Sequence, residues 1–104
     1  MDLSQLELHD AHLLGVTLDA GARTAEIRLA YYAGEQASAR TLASLRFSGV
    51  SQFNQIADLE RLADHASAGN VIQWMQAERS GATCLHLVGG LIAVTATSVE
   101  LVAS

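Results

Sequence analysis

The chain has 104 residues, half of them hydrophobic and 16% charged, with net charge −5, one cysteine and no proline. That length predicts a single domain spanning residues 1–104, and the apolar content is too high for a disordered chain. There is no lysine and no apolar run of the ~18 residues a membrane helix needs, so neither a nucleic-acid partner nor a membrane span is expected.

Asp2 and Glu7 stand where a secretory signal would carry basic residues, so no such signal is expected. Cys84 has no second cysteine to pair with, which suits a reducing cytoplasm. Residues 1–22 hold Asp2, Glu7, Asp10 and Asp19 but no arginine, an acidic segment that could steer a basic partner.

Period-two alternation dominates the first half. His12 to Leu18 predicts a first strand, and the turn 19–23 follows, with Gly21 in it. Thr24 to Tyr32 predicts a second strand. It puts Ala25, Ile27, Leu29 and Tyr31 on one face, with Thr24, Glu26, Arg28 and Ala30 on the other. After a loop at 33–38, Arg40 to Val50 predicts a third strand with Ala43, Leu45 and Phe47 inward and a bulge near Gly49. Alanine and leucine over 37–46 also suit a helix, which leaves the start of this strand open.

Phe53 to Ala66 predicts the one helix. Phe53, Ile56, Leu59, Leu62, Ala63 and Ala66 recur at three- and four-residue spacing, Ser51 or Asn54 could cap it, and Gly69 could end it. Asn70 to Glu78 predicts a fourth strand and 79–81 a turn. Gly89-Gly90 between Thr83–Val88 and Leu91–Thr97 predicts a type I′ hairpin. Its register would set Leu87 opposite Ile92, His86 opposite Ala93, Leu85 opposite Val94 and Cys84 opposite Thr95. Leu85, Leu87, Ile92 and Val94 would then share the core face. Val99 and Leu101 fall out of phase with Ile92, Val94 and Ala96, which predicts a bend near Thr97-Ser98. The expected fold class is α+β. It is a mainly antiparallel curved sheet of about six strands, half-barrel or sandwich-like, with one helix between the third and fourth strands.

Three groups of residues could carry chemistry. His9, Asp10 and His12 would suit a metal on a helical turn, but on a strand positions i and i+3 point to opposite sides. Cys84 and His86 share a strand face and could pair as nucleophile and base, although no turn sequence announces an oxyanion site. Asp64-His65 ends the helix, where a histidine complements the helix dipole. Gly89-Gly90 lacks the spacing and the lysine of a phosphate loop. No cofactor or metal is expected from these patterns. Trp74, with Tyr31 and Tyr32, could form an aromatic contact surface or simply fill the core.

Leu8-His9-Asp10-Ala11 leads into an apolar strand, followed by Leu45-Arg46-Phe47-Ser48-Gly49-Val50, Asn70-Val71-Ile72, the Gly-Gly hairpin and Ser98-Val99-Glu100. In this order the segments resemble the small bacterial immunity protein 50-like group, although Leu8 replaces the aromatic usual before His-Asp. The resemblance implies a compact domain that binds and neutralises a partner protein, and it transfers no catalytic residue. The expected function is therefore non-enzymatic protein binding, with His9, Asp10, His12 and Trp74 as candidate contact residues. One alternative is a metal or small-ligand enzyme built from His9, Asp10, His12, His65, Cys84 and His86. The other is a self-associating domain, a homodimer formed through an exposed strand face or edge.

Overall fold

The alternating residues of the first half make an antiparallel meander: β1 (His12–Asp19), β2 (Thr24–Tyr31) and β3 (Thr41–Ser48). The computed structural model describes Leu3 and residues 6–34, 37–77 and 81–103. Further along come β4 (Gln52–Ala57), α1 (Leu59–Asp64), β5 (Val71–Met75), β6 (Thr83–Leu87), β7 (Gly90–Thr95) and β8 (Ser98–Ala103). The strands divide into two antiparallel sheets of four, ordered β1-β2-β3-β8 and β4-β7-β6-β5.

The inner faces of both sheets meet in one core. Ile27, Leu29, Leu45 and Phe47 come from the first sheet, and Val71, Leu85, Ile92 and Val94 from the second. Each strand delivers every second residue, so the alternation read along β2 and β3 is the pattern of burial itself. Ser44 and Ala30 are also buried, although they lie on the opposite side of the first sheet. The radius of gyration, 13.0 Å, is that of about 100 residues packed as one body. Among the described residues no helix is long and apolar enough to cross a membrane.

The chain changes sheets between β3 and β4 and again between β7 and β8, and the two crossings touch. Thr97 donates to the Ser48 carbonyl from its N–H (3.1 Å) and from its hydroxyl (3.0 Å). Gly49 takes φ +64° there, and a Cβ on it would overlap the Thr97 hydroxyl. Gly49 therefore marks a corner between sheets where a bulge was expected, and the phase change at Thr97-Ser98 has the same origin.

Three expectations are corrected. The described residues hold eight strands, because β4 and β8 add to the six predicted. Residues 53–66 are not one helix, and the helix lies between the fourth and fifth strands. Only Leu59–Asp64 is helical, with Asp58 as its N-cap accepting the Arg61 N–H and His65 as its C-cap. Gln52–Ala57 instead pairs along β7, which has a free side after pairing with β6. A six-residue ladder satisfies every second residue's backbone groups there, and aromatic Phe53 and β-branched Ile56 suit a strand while Asn54 is a poor helix former. Of the predicted apolar stripe, Leu62 is buried and Phe53 packs against the core, while Ile56 and Leu59 stay 71% and 75% exposed.

The β6–β7 hairpin turns at Val88-Gly89, one residue earlier than predicted. Leu87 pairs with Gly90, His86 with Leu91, Leu85 with Ile92 and Cys84 with Ala93. Each β6 residue thus meets a partner two positions from the expected one, which leaves every side chain on its predicted face. Neither Gly89 nor Gly90 takes the positive φ of a type I′ turn. They are needed for closeness: a Cβ on Gly90 would overlap the Ile56 carbonyl, and one on Gly89 would lie 2.9 Å from the Asp58 carbonyl oxygen. The predicted turn at 79–81 and the Glu78 end of the predicted fourth strand lie largely outside the described residues.

Candidate functional site

His9 and Asp10 form the turn that brings the chain to β1. Asp10 adopts φ +66°, which a short polar side chain tolerates, and its N–H donates to the Val71 carbonyl at 2.9 Å. The Arg40 guanidinium donates twice to the Asp10 carbonyl, each at 3.2 Å. The His9 Nδ1 lies 3.4 Å from the Asp10 carboxylate in an exposed pair, and the His9 N–H donates to the Glu7 carboxylate. These bonds fix the loop.

The candidate contact residues do not form one group. His9 and Trp74 line a cleft of about 460 Å³ together with Leu6, Glu7, Ile72 and Gln73. The Trp74 indole donates to the Leu6 carbonyl at 3.0 Å, which ties the N-terminal segment across β5. His12 lines a different groove, shared by β1, the end of β4 and α1. Asp19 closes β1 at the end opposite Asp10, about 25 Å away along the strand, so the acidic segment is not a single patch.

The remaining candidates are also spread out. His65 is exposed and caps α1 through its backbone N–H. Cys84 and His86 share a face of β6 as predicted, turned away from Leu85 and the core. Among the described residues no three His, Cys, Asp or Glu side chains gather where they could hold a metal.

The residue that organises the junction is Asn70, which the sequence did not single out. It is 1% exposed; its side-chain oxygen accepts the Leu13 N–H (2.9 Å) and its amide donates to the Leu62 carbonyl (3.3 Å). Its backbone N–H donates to Ala11 and its carbonyl accepts from Val88. One buried asparagine thus joins β1 and α1 through its side chain, and the hairpin through its backbone, directly before β5. Its sequence signals were a polar residue directly before an apolar strand and a place in the Asn70-Val71-Ile72 segment, neither of which marks a buried hydrogen-bonding role.

The outer faces of the two sheets differ in charge. On the first sheet Glu26 pairs with Arg46 at 3.0 Å and with Arg28 at 3.6 Å, and Glu100 lies opposite Arg46 on β8. On the second sheet two rows cross the outer face. Gln73, His86, Leu91 and Ile56 form one, and Met75, Cys84, Ala93 and Asn54 form the other. No Asp, Glu, Lys or Arg occupies either row. Ile56, Met75 and Ile72 are each more than half exposed on these strands. The parity of each strand was readable beforehand, but the face is visible only once β4 is known to be a strand beside β7. No family model, curated protein or solved structure matches the chain.

Proposed function

We propose that this chain is a protein-binding domain that works by contact, not catalysis, and that the outer face of the second sheet is its docking surface. The observation that carries the reading is the charge contrast. One sheet keeps a ladder of acids and arginines in solvent, while the other presents two rows without a formal charge. Protein interfaces are depleted of charge at their centres in this way, because burying an unpaired charge is costly. The His9–Trp74 cleft shares Ile72 and Gln73 with the β5 border of that face and forms its rim. Asp10 and His12 act in the fold of the neighbouring loop and groove. The resemblance to immunity proteins makes a toxin encoded beside this chain the first partner to test, with neutralisation as the outcome of binding.

The test is co-purification with the product of the adjacent gene. Wild-type protein and the control Arg46→Glu, on the opposite sheet, should retain the partner. Ala93→Arg, in the middle of the neutral face, should release it while keeping a native circular-dichroism spectrum. Retention by a folded Ala93→Arg, or loss with Arg46→Glu alone, would overturn the assignment.

A further inference from the structure

Four strands end the two sheets: β1 and β8 in the first, β4 and β5 in the second. Natural sheets protect such edges with charges, prolines or bulges. The ladders of β1 and β5 are broken by register shifts, at Leu13/Gly15 and Val71/Gln73, and β8 carries Glu100. β4 has none of these: Gln52–Ala57 is uncharged, its register is unbroken, and every residue but Phe53 is exposed.

We propose that β4 pairs with β4 of a second copy of this chain, antiparallel across a two-fold axis at Gln55, so that the two second sheets become one of eight strands. The register follows from hydrogen-bond parity. The Asp58 N–H donates to the Gly89 carbonyl at 2.6 Å, directly after β4. Antiparallel ladders alternate, so Gln52, Asn54 and Ile56 bond to β7, while Phe53, Gln55 and Ala57 turn their N–H and carbonyl groups outward. A two-fold axis normal to the sheet then sets Gln55 opposite Gln55 of the second copy, and Phe53 opposite Ala57.

Charge selects the direction and the occupant. Arg23 donates to the Val50 carbonyl just before β4, whereas Asp58 and Glu60 follow it. The Asp19 carboxylate near Arg23 is held by the Ala22 N–H, and Arg61, the one arginine at the other end, starts its side chain beside Gly89 of the hairpin turn, where Asp58, Glu60 and Asp64 outnumber it. Antiparallel pairing brings each arginine-bearing end beside the other copy's acidic end, while parallel pairing would set acid on acid. A second copy therefore supplies an edge of matching length, without charge and with opposite signs at its ends. The two-fold axis also leaves both neutral outer faces on one side, merging them. The inference stands apart from the face reading, because Gln55 is not on that face.

The pairing is small, so the dimer is weak and should be measured up to about 1 mM. Sedimentation equilibrium of the wild-type chain should show a concentration-dependent dimer. In a Cys84→Ser background, Gln55→Cys should cross-link in glutathione buffer, because opposed Cα atoms lie about 5.5 Å apart, within disulfide reach. Asn54→Cys, offset to about 8 Å from its mate, should cross-link far more slowly. A monomer at every concentration, or equal cross-linking at both positions, would overturn the proposal.

Discussion

Asn70→Ala tests the junction that joins the sheets to the helix. The substitution removes the acceptor of the Leu13 N–H and the donor to the Leu62 carbonyl. An unsatisfied buried polar group costs about 1–3 kcal/mol. The Leu62 bond is fully buried and belongs in the upper part of that range, while the Leu13 bond is partly buried and water can repair some of the loss. The expected destabilisation is about 3 kcal/mol, or roughly 10–20 °C in Tm for a domain of this size. Urea denaturation followed by Trp74 fluorescence and far-ultraviolet circular dichroism measures it. Asn70→Asp keeps the acceptor for Leu13 but faces a carboxylate to the Leu62 carbonyl, so it should be unstable at neutral pH and recover in acid, where the protonated group can donate. A loss below about 1 kcal/mol in Asn70→Ala would show that Asn70 does not hold the junction.

Two further predictions probe the corrected elements. Leu87→Asp places a carboxylate at a position 5% exposed and should cost about 3 kcal/mol or more, whereas Ile56→Ser, at 71% exposure, should stay within about 0.5 kcal/mol. A large loss at Ile56 in thermal melts would restore the long helix. Gly90→Ala drives a methyl group into the Ile56 carbonyl and should cost about 2 kcal/mol, while Gly21→Ala, whose Cβ meets only the Asp19 carboxylate at 3.6 Å, should be close to neutral. Equal stability of the two variants in denaturant would refute the close approach of β4 to the hairpin.

The candidate site was legible in pieces. The sharing of a face by Cys84 and His86 follows from strand parity alone. That His9 shares a cleft with Trp74, and that His12 lines another, depends on where the N-terminal segment crosses β5, which no local spacing encodes. The role of Asn70 was silent because a buried amide is recognised by its partners, and those lie up to 57 residues away.

By itself the sequence determined the strands whose side chains alternate, the faces of β2, β3, β6 and β7, and the break near Thr97. Each of these is set by local backbone period and apolar content. The tertiary structure decided the state of residues 52–57, because a segment that fits both periods takes whichever backbone partner is vacant, and the free side of β7 was there. It also decided that Gly90 serves close packing and not a turn, that the break at Thr97 is a passage between sheets, and that one sheet turns an uncharged face to solvent. Those outcomes depend on which strands become neighbours, and pairing between distant segments is fixed only when the core closes.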